Sequence, residues 1–311
     1  MTPDRRLLVD TDTASDDAVA LLLAAASEGA TIEGVTVCAG NAPFDQQVEN
    51  AKHTLALAGV DVPVHEGART PLLKDHEYAD EVHGESGLGE LAPTTDVASA
   101  DEHAVDYLVR SARENPGEFT LVCLAPLTNV ALALAREPEF PDLLDEVWIM
   151  GGSAFAPGNV TPAAEFNFWA DPDAAHMVCS RLEHTLVDWG VCVRDGTVDA
   201  EFFDRVRELN TPLARFFAAA LARVRAHSRD LKGTDEAAIP DALTVASLLD
   251  PDLVIDSTTV GVAVDEREGL TRGALVVDES GTTLDSRVEL IREADGARFE
   301  RALLETLGRC G

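Results

Sequence analysis

Four aspartates fall within eight residues near the start of the chain, in Val9-Asp10-Thr11-Asp12-Thr13-Ala14-Ser15-Asp16-Asp17. Asp10 and Asp12 have the spacing that turns side chains to one face of a strand, and Asp16 and Asp17 stand where a first helical turn is expected. Carboxylates this close resist ionising together, and a hard divalent cation with oxygen ligands, Ca²⁺ or Mg²⁺, neutralises such a set. Acids in a first turn also suit the helix dipole, and Ser15 is a good N-cap, so Asp16 and Asp17 alone have an ordinary explanation. Asp10 and Asp12 do not. A carboxylate ending a buried apolar strand is costly unless paired or metal-bound, and nearby in sequence stand only Arg5 and Arg6 as bases.

The elements that must hold this cluster follow from the apolar pattern. Residues 7–12 read as a buried parallel strand, with its crossover helix running to about residue 27. A strand at 32–38, a helix at 45–58 and a short strand at 62–65 begin a doubly wound, mostly parallel α/β sheet with helices on both faces. After a loop over 69–100 come a helix (102–114), a strand (119–124), a helix (127–136) and a strand (146–150), with the alternation continuing through 171–181. Residues 199–250 are mainly helical, strands are expected near 259–264 and 274–278, and a final helix follows Gly296. Without repeats or linkers, residues 1–311 read as a single domain.

Sheets of this kind bind ligands at the carboxyl ends of their strands. Asn41, Thr128 with Asn129, and Met150-Gly151-Gly152 all follow predicted strands and gather at that edge. The loop from Gly158 to Pro172 holds Asn159, Glu165, Phe166, Asn167 and Trp169, amides and a carboxylate beside aromatics, a composition that suits a sugar.

Acidic residues number 56 against 24 Lys plus Arg, giving a formal charge of −32, and the lysines are Lys52, Lys74 and Lys232 alone. Nucleic acid and anionic membranes are thereby poor partners. The acids are spread along the chain, the pattern of a surface adapted to high salt, and a halophilic cytoplasm is the expected setting. Stability and activity should accordingly rise with KCl into the molar range as screening relieves repulsion, and full stability in dilute buffer would contradict this. The cysteines, Cys38, Cys123, Cys179, Cys192 and Cys310, include no Cys-x-x-Cys pair and read as buried thiols of a reducing compartment. The early first strand leaves no room for a signal peptide, and the apolar stretch 18–26 is too short to span a bilayer.

Taken in order, Asp10-Thr11-Asp12 with Asp16-Asp17, Gly40-Asn41, His83-Gly84-Glu85-Ser86-Gly87, Leu127-Thr128-Asn129, Met150-Gly151-Gly152, and Ala164-Glu165-Phe166-Asn167 with Asp171-Pro172 resemble the inosine-uridine preferring nucleoside hydrolase family. The resemblance extends to about Asp241. It implies a Rossmann-like fold, tight Ca²⁺ binding, hydrolysis of ribonucleosides to free base and ribose, and a homo-oligomer, dimer or tetramer. By position it implies Asp12, Asp17, the main-chain carbonyl of Thr128 and Asp241 as metal ligands, with Asp12 also the general base. It implies Asp16, Asn41, Asn159, Glu165 and Asn167 around the ribose, Asp10 behind them, and Met150, His83 and Phe166 lining the sugar and base pockets. An anionic pocket would repel a 5′-phosphate, so nucleosides are expected over nucleotides.

Two positions depart from that pattern. Ala14 replaces a glycine found in many members, and Pro240 stands where several members carry a histidine that protonates the departing base. Proline has no proton to give. His227, in Arg223-Val224-Arg225-Ala226-His227-Ser228-Arg229, is the expected substitute donor, with His83 as competitor and a solvated basic helix face as the bland reading. Two other functions fit part of the sequence. A strand ending in Asp-x-Asp-x-Thr also opens the Mg²⁺-dependent phosphatases of the haloacid dehalogenase type, and a chain that kept its calcium site but lost turnover would be a nucleoside- or sugar-binding protein.

Overall fold

The computed structural model describes residues 5–309. The elements run β1 (Arg5–Thr11), α1 (Ser15–Ala26), β2 (Ala30–Val37), α2 (Phe44–Leu57), β3 (Val64–Glu66), α3 (Asp80–His83), α4 (Ala104–Glu114), β4 (Phe119–Cys123), α5 (Thr128–Arg136) and β5 (Glu146–Met150). Next come α6 (Phe166–Ala170), α7 (Pro172–Cys179), β6 (His184–Val187), α8 (Trp189–Asp195), β7 (Thr197–Asp199), α9 (Ala200–Leu209), α10 (Pro212–Ala220) and α11 (Ala222–Lys232). The chain closes with β8 (Glu236–Ala238), α12 (Pro240–Leu249), β9 (Val254–Val264), β10 (Leu275–Asp278), β11 (Val288–Ala294) and α13 (Gly296–Leu307).

Nine strands form one sheet in the order β10-β9-β11-β6-β5-β4-β1-β2-β3. From β3 to β11 all neighbours are parallel, while β9 and β10 add an antiparallel edge. The chain winds outward from β1 in both directions, to β2 and β3 on one side and to β4, β5 and β6 on the other. The crevice above the carboxyl ends of β1 and β4 is therefore the topological switch point, where open α/β sheets place their ligands.

Packing explains why β1 is a continuous apolar run. Leu8 belongs to the core on one face, with α4, α5 and α7, whereas Leu7 and Val9 belong to the core on the other, with α1, α2, α10 and α12. A strand buried on both faces needs no polar alternation. Helix α1 is buried from Ser15 through Ala24 because it lies between the sheet and α12. Each leucine so enclosed contributes about 1.5–3 kcal/mol relative to an exposed one, which fixes the start of α1, and with it Asp16 and Asp17, against the end of β1.

The α/β expectation holds, and the departures have local causes. The strands β6 and β11 were not anticipated. β6 has four residues, and β11 interrupts its apolar residues with Glu289, Arg292 and Glu293. Glu289 is accommodated because the hydroxyls of Ser257 and Thr259 on the neighbouring strand donate to it, at 2.5 and 2.8 Å. The strand expected from residue 259 starts at Val254, the segment 199–250 contains β8, which pairs antiparallel with β7 just before it, and the loop 69–100 contains α3. Cys38, Cys123, Cys179 and Cys192 are buried free thiols, while Cys310 lies outside the described residues. Among the described residues no helix is long and apolar enough to cross a membrane.

Candidate active site

Asp12 sits just past β1 in the turn that leads into α1, and three neighbours fix that turn. The side-chain amide of Gln47 donates to the Asp12 carbonyl. Asn50 spends both amide hydrogens nearby, donating to the Thr13 carbonyl at 3.0 Å and the Ser86 carbonyl at 2.7 Å. Gly40 leaves the space that the Asp12 carboxylate occupies, since a Cβ there would collide with it. Asp12 Oδ2 then accepts from the Asn41 backbone N–H at 2.6 Å. The expected Ser15 cap does not form: Ser15 Oγ lies 2.7 Å from His83 Nδ1, and Asp17 instead accepts from the Ala14 N–H at 2.9 Å. Asp17 also accepts from the Thr11 hydroxyl at 2.6 Å.

Helix α12 brings a further carboxylate. Oxygens of Asp16, Asp17 and Asp241 come within 4.8 Å of one another, all three residues buried. The buried oxygens Asp12 Oδ1 and Asp16 Oδ1 have no hydrogen-bond partner, nor has Asp10 Oδ2 behind them. Burial, then the charge of Asp17, pushes Asp12 well above the usual carboxylate range. Burial, followed by the charges of Asp16, Asp17 and Asp12, does the same to Asp241. Burial also raises Asp16 and Asp17. Orphaned oxygens, converging carboxylates and pKa values raised by burial and mutual repulsion fit a site for a hard divalent cation.

Asp10 supports the cluster from behind. Its Oδ1 accepts from Thr36 at 2.5 Å and from Asn129 at 2.8 Å, and burial lifts its pKa to about 7 despite those donors.

Above the carboxylates opens a cavity of about 390 Å³. Asp16, Asn41, Met150, Asn159, Glu165, Phe166, Asn167 and Asp241 line it, and so do His83 and His227. Glu165 caps α6, accepting from the N–H groups of Asn167 and Gly152 at 2.8 Å each, and burial pushes its pKa up to about 7. The Asn167 amide donates to the carbonyls of Leu124 at 3.0 Å and Met150 at 3.3 Å, so its own carbonyl oxygen is left to face the cavity's contents. Burial holds His83 neutral, its pKa lowered to about 4.

Every expected sugar- and base-side residue therefore reaches the cavity wall, and Asp12 and Asp17 lie buried beside Asp16. Thr128 does not. It opens α5, where its carbonyl belongs to the helical hydrogen-bond ladder, and its hydroxyl donates to Asp171 at 2.7 Å. Leu124, four residues earlier and just past β4, is the residue there that lines the cavity, and its carbonyl accepts from the Asn167 amide. Sequence reasoning also missed Gln47, Asn50, Trp189, Lys232 and Glu236. For Gln47 and Asn50 a signal existed: amides three apart on an otherwise apolar helix face. Trp189, Lys232 and Glu236 are brought to the cavity by the fold alone.

The family model of inosine-uridine preferring nucleoside hydrolases matches residues 7–301. Among curated relatives, the pyrimidine-specific ribonucleoside hydrolase RihA of Photobacterium profundum is 39% identical over 278 residues, covering 88% of this chain and 89% of the relative. Among solved structures, the plant nucleoside hydrolase PpNRh1 superposes with a TM-score of 0.93 at 30% identity, covering 98% of this chain and 99% of its own. The purine-preferring ribonucleoside hydrolase from Gardnerella vaginalis gives 0.90 at 27%, with 98% of each chain covered.

Proposed function

Since this chain belongs to the inosine-uridine preferring nucleoside hydrolase family, whose members hydrolyse N-glycosyl bonds, we propose that it splits ribonucleosides to free base and ribose with a resident Ca²⁺. The observation that carries this is the convergence of Asp16, Asp17 and Asp241, with orphaned Asp12 and Asp16 oxygens, beneath a cavity lined by Asn41, Asn159, Glu165 and Asn167. Asp12, Asp17, Asp241 and the Leu124 carbonyl would hold the ion, which supplies when bound a site for orienting the ribose diol and lowering the pKa of water. The haloacid dehalogenase alternative does not explain Asp241 on α12 or the residue 159–167 loop.

Asp12 takes the proton from the attacking water, its free Oδ1 being aimed away from the Asn41 N–H that fixes Oδ2. Asp16, Asn41, Asn159, Glu165 and Asn167 bind the ribose hydroxyls. As the C1′–N bond lengthens, positive charge grows on the sugar ring, and the carboxylates of Asp16 and Glu165 with the Asn167 carbonyl dipole stabilise it. Phe166 and Met150 exclude water from the sugar's apolar face. The enzyme acts in the cytoplasm as a homo-oligomer in this reading. Incubation with uridine, inosine and p-nitrophenyl phosphate tests it: base and ribose should appear from the nucleosides, and phosphate release without base release would overturn it.

His227 on α11 is the proposed proton donor to the leaving base. The His227→Ala variant should lose uridine or inosine turnover by about 10²-fold while hydrolysing p-nitrophenyl riboside, whose leaving group needs no proton, at near the original rate. Equal effects on both substrates, or none on either, would remove His227 from that role.

A further inference from the structure

Asn50 on α2 is fully buried, and both ends of its amide are engaged. Its Nδ2 donates to two carbonyls, that of Thr13 at 3.0 Å and that of Ser86 at 2.7 Å, while its Oδ1 accepts from the Gln46 side chain at 3.0 Å. Gln46 also donates to the Pro93 carbonyl at 2.9 Å, so the orientation of both amides is fixed. The two carbonyls that Asn50 joins belong to different parts of the site. Thr13 lies in the turn whose Asp12, Asp16 and Asp17 carboxylates repel one another, and Ser86 lies in the loop that follows His83 at the end of α3. Ser15 Oγ, 2.7 Å from His83 Nδ1, links the same two parts a second time. The loop's path depends on glycine: Gly84, Gly87 and Gly89 have φ of 80°, 81° and 66°, and a Cβ on Gly87 would meet Asn50 Nδ2 at 3.3 Å and Ala42 Cβ at 3.1 Å.

We propose that Asn50 is a positioning residue that joins the carboxylate turn and the His83 wall of the cavity into one unit, so that distortion of the loop at residues 84–89 weakens the cation site; the inference rests on the calcium-dependent reading above. Repulsion among the aspartates acts to spread their turn. Neutral donors to its carbonyls, Gln47 at Asp12 and Asn50 at Thr13, oppose that spreading without cancelling the charge a cation needs. A turn already held in place binds an ion more tightly than one the ion must gather. Asn50 is not among the residues lining the cavity, so it acts through the two carbonyls rather than on the nucleoside. Because one amide holds both, the coupling is reciprocal: an ion that steadies the turn also steadies the loop.

Calcium affinity by calorimetry tests this in Asn50→Leu and Gly87→Ala, with kcat and KM for uridine and inosine at saturating calcium. Asn50→Leu keeps the volume and removes both donors without adding charge, whereas Gly87→Ala strains the loop and crowds Asn50 from its far side. Both variants should bind calcium at least about tenfold more weakly, and at saturating calcium KM should rise at least about fivefold while kcat stays within about threefold. A loss of folded enzyme would instead lower kcat and leave KM and calcium affinity unchanged. Wild-type calcium affinity in folded Asn50→Leu or in Gly87→Ala overturns the inference, and if neither variant folds the wild type decides: calcium should slow amide exchange across residues 84–89 at least about threefold, and unchanged exchange there overturns it. Any of these failures beside calcium-dependent base release leaves the parent reading standing, whereas a wild type indifferent to calcium overturns both.

Discussion

Replacing Asp12 by Asn should lower ribonucleoside turnover by about three orders of magnitude or more, equivalent to roughly 4 kcal/mol of transition-state stabilisation. The substitution is isosteric, so the space kept open by Gly40 remains filled and the Asn41 N–H can still be met by the new amide oxygen. What disappears is the negative charge on Oδ1, the oxygen left without a partner. That charge is asked both to hold the cation and to take the proton from water. In the metal-free protein stability should not fall, because burial disfavours the charged carboxylate at this position and an amide lowers the repulsion felt by Asp17. Circular dichroism and thermal melts alongside initial rates check both halves. Near-normal turnover in a folded Asp12→Asn protein would remove Asp12 from the chemistry.

Stripping the metal should lower the melting temperature by roughly 10 °C, because an ion present at about a thousand times its dissociation constant stabilises the native state by about 4 kcal/mol. The pH dependence of the stripped protein fixes the cause. Burial raises Asp10 and Glu165 from 3.8 and 4.5 to about 7. Groups whose folded pKa is raised contribute stability that is complete below the unfolded value and lost as pH rises through the folded one. The chelated protein should therefore melt lower at pH 8 than at about pH 5, and calcium should restore most stability at the alkaline end, where protons no longer compete for the carboxylates. A chelated protein equally stable across that range would contradict the raised pKa values of Asp10 and Glu165, and one indifferent to verified calcium removal would contradict the idea that the aspartate cluster awaits a cation.

Much of the site was legible because β1 and α1 announce it. An unbroken apolar run that turns abruptly into Asp10, Asp12, Asp16 and Asp17 leaves few explanations other than a cation, and the switch-point rule places that end of β1 beside Asn41 and the end of β4. The motif around Asn159, Glu165, Phe166 and Asn167 was legible by resemblance, and α6 does present Glu165 and Asn167 to the cavity. Thr128 shows where such reading stops. A main-chain carbonyl leaves no signature in residue type, and whether Leu124 or Thr128 offers one depends on where β4 ends and α5 begins. Ser15 is a second case: its hydroxyl had two uses, a helix cap and a partner for His83, and tertiary packing decided between them. β11 was hidden because the charges that break its apolar pattern find partners on a neighbouring strand, and the contributions of Trp189, Lys232 and Glu236 exist only once α8, α11 and β8 converge.

The most direct measurement follows base release from uridine and inosine, in high salt, by protein stripped of metal and then titrated with Ca²⁺. The stripped protein should be inactive, and activity should return in step with occupancy of one site per chain, with ribose and free base formed in equal amounts. Full turnover by verified metal-free protein, or no release of base at saturating Ca²⁺, would contradict a calcium-dependent ribonucleoside hydrolase built on Asp12, Asp17 and Asp241.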